Sequence, residues 1–162
     1  MADIICDTSS LQYFHQLSLI QLLDELADEV IVPQAVVGEL EVGATAGVNV
    51  PAPGEIAWMK IQRPASVAVL PLVSGLGPGE TEVLALGLEM PGTIVVLDDM
   101  LARRTAQSLK LPMTGTLGLL IDAKSKQFIP AIRPVLDQLQ KLRFYISAST
   151  RTMILGKAGE LE

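Results

Sequence analysis

Five carboxylates in this 162-residue chain stand where side chains can do chemistry: Asp7, Glu39, Glu80, Asp98 and Asp99. Asp7 closes the apolar run Ile4-Ile5-Cys6 and is followed by three hydroxyls, Thr8, Ser9 and Ser10. Asp98 and Asp99 directly follow the apolar run IVVL, residues 94–97. Glu39 sits in apolar company, VVGEL, and Glu80 follows the break Gly77-Pro78-Gly79 in GPGETEVLAL. The acids come from separate segments, and several border long apolar runs. Their side chains therefore need a polar outlet close to the core.

Carboxylates crowded into a low-dielectric cleft repel, and some keep their protons at neutral pH. A divalent cation removes that problem. Hard cations such as Mg²⁺ and Mn²⁺ take oxygen ligands, and such a site can activate a water and stabilise the charge on a phosphodiester in flight. With one cysteine and one histidine in the chain there is no Cys/His cluster for zinc. His15 falls mid-helix and reads as half-buried packing. Each acid also has a plainer use. Asp7, Asp98 and Asp99 can cap helices; Glu80 suits the positive end of a helix; Glu39 can pair with a surface lysine or arginine. What separates the two uses is whether the acids arrive at one place.

The elements that must bring them there alternate between strand and helix. Ile4–Cys6 reads as a short buried strand, and Ser10 as the start of a helix carrying Leu11, Phe14, Leu17, Leu22 and Leu26. Val30–Val32 reads as a second strand or a strand-like turn, and Pro33 suits the start of a helix with Val36, Val37 and Leu40. Gly43–Gly54, rich in Gly, Ala and Pro, reads as a loop. Ile56–Met59 reads as a helical turn, Val67–Leu72 as an extended segment, and a helix runs from about Glu80. IVVL is the clearest buried strand. A helix with Arg103 and Arg104, a short extended Pro112–Thr114, and helices over 115–126 and 129–142 follow. Phe144–Ile146 is expected to close the sheet, and Ser147 or Ser149 to cap a last helix. This order predicts an α/β fold in three layers, α/β/α, with a mainly parallel sheet. In such sheets function collects beyond the carboxyl ends of the strands, where Asp7, Asp98 and Asp99 fall.

The bulk properties agree. Apolar residues make up 49% of the chain and aromatics 4%, so the core is aliphatic. The length fits one domain, read as residues 1–146 with a C-terminal helical tail over 147–162. A net charge of −6 argues against tight non-specific nucleic-acid binding, which rests on a basic face. It leaves room for an acidic site that handles phosphates through metal ions. A single cysteine, no secretory leader and no apolar run of the ~18 residues a membrane span needs make a soluble, cytoplasmic protein the expectation.

Five motifs in order, IICDTSSL, PQAVVGEL, GETEVLALG, VVLDDMLAR and SLKLPMTGTLGLLIDAKSKQFIP, resemble a PIN domain over roughly residues 3–145. The last, with its GTLG, is similar to a branch of prokaryotic PIN-like proteins. The resemblance implies an α/β/α fold with a parallel sheet and a Mg²⁺- or Mn²⁺-dependent ribonuclease like the VapC-type toxins. It places the family acids on Asp7, Glu39 and Glu80, and the fourth on Asp98 or Asp99. All five are carried as catalytic candidates, and Asp7, Glu80, Asp98 and Asp99 as metal ligands. Thr8 or Ser9 meets the small polar residue after the first acid. Ser9 is expected to fix the Asp7 carboxylate from behind, and Thr116 to orient an acid or a metal-bound water. Arg103 and Arg104 are candidates for RNA phosphates. An RNA substrate, a small antitoxin partner and a homodimer through the Leu11, Phe14, Leu17, Leu19 and Leu22 surface are the implied partners. A catalytically silent RNA- or protein-binding module, and a metal-dependent DNA nuclease or phosphatase, are the alternatives.

Overall fold

The computed structural model describes residues 1–66 and 75–161. Five parallel strands form one sheet in the order β3-β2-β1-β4-β5: β1 Ile4–Cys6, β2 Val30–Pro33, β3 Met59–Gln62, β4 Ile94–Val96 and β5 Met113–Thr114. Among the described residues, eight α-helices flank it: α1 Thr8–Gln16, α2 Gln21–Leu26, α3 Gln34–Thr45, α4 Pro78–Glu89, α5 Met100–Ser108, α6 Thr116–Ser125, α7 Arg133–Lys141 and α8 Ala148–Lys157. The three-layer parallel α/β fold expected from the pattern is therefore the one seen. The expected extended segment Val67–Leu72 lies outside the described residues.

The strand order places the site. From β1 the chain winds outward through β2 to β3, then returns and winds the other way through β4 to β5. The reversal lies between β1 and β4, which pair directly, Ile5 beside Val95 and Cys6 beside Val96. Helices diverge from the sheet in opposite directions at such a point and leave a crevice at the strands' carboxyl ends. Asp7 follows β1 and Asp98 lies two residues after β4, so both fall at that crevice.

The central strands β1, β2 and β4 are short and largely buried on both faces, which is why they read as Val/Ile-rich runs, whereas the outer strands β3 and β5 are partly exposed. Several boundaries differ from the sequence expectation. The first helix starts at Thr8, because Asp7 rather than a serine caps it. The Leu11–Leu26 run is two helices, since Ser18 takes a left-handed conformation and the amide of Leu19 turns back to the carbonyl of Phe14. Helix α3 continues to Thr45, into the stretch read as a loop. Met59 opens strand β3 instead of ending a helical turn; the turn comes earlier, as a 3₁₀ segment over Pro53–Glu55. Helix α4 begins at Pro78, two residues before Glu80.

Phe144–Ile146 does not close the sheet. Arg143 is left-handed, and the amide of Phe144 reaches back to the carbonyl of Leu139, so the segment is the exit of α7. Phe144 packs edge-on against Tyr13, while Tyr145 is 86% exposed. Beyond it, Ser147 caps α8 as expected, and Ile154 and Leu155 join the common core. The Glu160 carboxylate accepts from the amides of Ile132 and Arg133 at the start of α7 and from Lys124. Leu11, Phe14 and Leu22 are buried in the chain's own core, with Leu17 and Leu19 packed against it.

Candidate functional site

All five acids reach one cavity. It measures about 410 Å³ and is lined by Asp7, Thr8, Ser9, Gln12, Glu39, Glu80, Asp98 and Asp99. In a parallel α/β fold the helices start where the strands end, so several helix N-termini converge on the same edge as the strand-end acids. Each N-terminus leaves amide groups without helical partners and carries a partial positive charge. The carboxylates take up those amides.

Asp7 is buried and caps α1. Its Oδ1 accepts from the amide of Ser10 at 2.9 Å, and its Oδ2 from the amide of Asp98 at 3.0 Å. Asp98 caps α6 from outside that helix, whose own cap position is Gly115: its Oδ1 accepts from the Thr116 amide at 2.8 Å. Its Oδ2 accepts from the Thr116 hydroxyl at 2.6 Å and from the Ser9 hydroxyl at 3.1 Å. Asp99 caps α5 through the Ala102 amide. Glu39 accepts from the Thr8 hydroxyl at 2.5 Å and from the amide of Gly79 at 3.4 Å, at the start of α4. Glu80 lies in the first turn of that helix. The capping use and the clustered use of these acids are therefore the same arrangement.

Ser9 differs from expectation. It holds Asp98 rather than Asp7: each Asp7 oxygen accepts from a backbone amide, and Ser9 faces across the crevice to the end of β4. Thr116, fully buried, donates its hydroxyl to Asp98. Arg103 turns inward and donates to the carbonyl of Leu97 at 2.8 Å, whereas Arg104 is exposed. Neither lines the cavity. Gly115 shows how tight this corner is: a Cβ there would lie 2.9 Å from both the Arg103 guanidinium and Asp98 Oδ1. Gln12 was not singled out in the sequence. It lies one helical turn after Thr8 on α1, and that spacing was the available signal.

The electrostatics follow from this crowding. Burial first, and then the neighbouring Asp98 carboxylate, push Asp7 up to about 7, against the pull of its hydrogen bonds. Burial and then Asp99 also raise Glu80, with a smaller push from Glu39. Burial and Asp7 raise the Cys6 thiol, which stays protonated and inert behind the site. The ion pairs found among the described residues, Lys60–Glu29, Lys124–Glu160 and Arg151–Asp137, involve none of the cavity acids. Helix ends and amides hold these charges, and no basic side chain among the described residues neutralises them by direct pairing.

A PIN-domain family model matches residues 3–160. The chain belongs to the PIN-domain family. Members of this family are typically nucleases and commonly use divalent metals, and the acidic cavity of this PIN domain has the donor chemistry for such an ion. Its ligands would all be hard oxygens, the set Mg²⁺ and Mn²⁺ prefer. Among the described residues no three Asp, Glu, His or Cys side chains stand ready to chelate one ion together. That suits a cation bound by one or two carboxylates, with waters and substrate phosphate completing its shell. A search among curated proteins found no match to the chain. No helix among the described residues is long and apolar enough to cross a membrane.

Proposed function

We propose that this PIN domain is a metal-dependent endoribonuclease that hydrolyses RNA phosphodiesters in the acidic cavity. One observation carries the reading: five carboxylates from separate elements meet at the sheet's switch point, and none has a basic ion-pair partner among the described residues. Among Asp7, Glu80, Asp98 and Asp99, one or two would hold Mg²⁺ or Mn²⁺ directly and the others through its waters, and the ion when bound supplies an activated water and positive charge at the phosphate. The chain's own groups prepare for it. Thr116 and Ser9 lock the Asp98 carboxylate, two amides lock Asp7, and Thr8 locks Glu39. Gln12 brings an uncharged amide to a cavity otherwise rich in acid, a donor for a phosphate or base oxygen. Arg104, exposed just beyond the acids, can meet RNA backbone, while Arg103 braces Leu97.

In its finer form the proposal makes the protein the toxin of a type II toxin–antitoxin pair, which rests on the likeness of its motifs to the VapC branch. An antitoxin segment offering an arginine to the cavity would neutralise the acids. The test is cleavage of a pooled labelled RNA in Mg²⁺, in Mn²⁺ and in EDTA, beside Asp7→Asn and Asp98→Asn/Asp99→Asn. Metal-dependent cutting that both variants lose supports the reading. Cutting that survives in the variants, or no cutting of RNA under any condition, overturns it in favour of a binding module.

A further inference from the structure

Glu82 is outside the cavity, yet it is tied to it. Helices α3 and α4 pack against each other, and neither has a capping side chain of its own; their cap positions are Pro33 and Gly77. Each is capped by a glutamate of the other. The amide of Ala35, in the first turn of α3, donates to Glu82 Oε1 of α4 at 2.8 Å. The amide of Gly79, in the first turn of α4, donates to Glu39 Oε2 of α3 at 3.4 Å. The approach at Gly79 is close: a Cβ there would collide with the Glu39 carboxylate and lie 3.2 Å from Val36. Thr8 of α1 then fastens the other Glu39 oxygen.

This exchange has a task. Glu39, Glu80 and Asp99 face one cavity, and like charges drive the first turn of α4 away from its neighbours. Glu80 is the residue next to Gly79, so whatever fixes Gly79 fixes the reach of Glu80. We propose that Glu82 and Glu39 form a reciprocal clasp between the N-termini of α3 and α4, which makes Glu82 a positioning residue for Glu39 and Glu80. The metal-binding part of this inference rests on the nuclease reading; the clasp does not.

The test uses metal-free protein and its Mn²⁺ complex, with Glu82→Ala, Glu82→Asp and Glu82→Gln. Aspartate keeps the charge but falls a methylene short of Ala35, and glutamine keeps an acceptor at full reach. Amide exchange followed by NMR is expected to show Ala35 and Gly79 losing protection together in the Ala and Asp variants, with both restored by Gln. Mn²⁺ titration by calorimetry is expected to show about a 10-fold loss of affinity in the Ala and Asp variants, the scale of a lost supporting contact. Loss of protection at Ala35 with Gly79 unchanged would reduce Glu82 to a local cap and overturn the clasp. Unchanged Mn²⁺ affinity despite loss at both amides would overturn the positioning role. If the unaltered protein takes up no Mn²⁺, the nuclease reading fails, while the paired amides still decide the clasp.

Discussion

Raising the pH should destabilise the metal-free protein, and Asp98 should set part of the slope. Asp7 ordinarily titrates near 3.8 and is pushed to about 7 in the folded chain, by burial first and by Asp98 second. Between those values the folded state keeps a proton that the unfolded state has released, so stability falls as pH rises. It is fully present below the unfolded value and fully lost above about 7. From pH 5 to pH 8 the window spans about two units, worth roughly 3 kcal/mol at 1.36 kcal/mol per unit. The raised Glu80 pushes in the same direction. Glu160 is held low by the Ile132 and Arg133 amides and by Lys124, which outweigh its burial, so it titrates below this window. Urea unfolding in EDTA at pH 5, 6, 7 and 8 measures the slope in the parent and in Asp98→Asn. The variant should lose clearly less stability across the range, and the burial of Asp7 should leave it some. Added Mn²⁺ should stabilise the parent more at pH 8 than at pH 5, because only the ionised cavity binds it well. A parent whose stability is flat or rises from pH 5 to 8, or an Asp98→Asn slope identical to the parent's, would refute the reasoning.

Thr116→Val should cost about 1.5–3 kcal/mol, the scale of a hydrogen bond from a buried hydroxyl to a carboxylate, and Thr116→Ser much less; thermal unfolding of the two compares them directly. Gly115→Ala should cost about 1–3 kcal/mol although its backbone is ordinary extended chain, because the new methyl meets the carbonyl of Leu97 at 3.0 Å as well as Arg103 and Asp98. A Tm equal to the parent's would show that this corner yields freely.

The sequence alone determined the parallel α/β class, because buried Val/Ile strands alternating with amphipathic helices leave few other ways to cover a sheet. It also singled out the five acids, since a strand that ends in a carboxylate must send that charge to an edge. It gave no sign that Ser9 would serve Asp98, 89 residues away, instead of Asp7 beside it. Nor did it show that Phe144 would turn back on α7, a choice made by the left-handed Arg143. Nothing in the sequence singled out Glu82, whose partner amide lies 47 residues earlier. Local pattern fixes what a segment becomes, for helix and strand periods act over a few residues. Which carboxylate meets which amide depends on where separate helices begin around the sheet. Only the packed fold decides that, and it is how five acids share one cavity here without a basic ion-pair partner among the described residues.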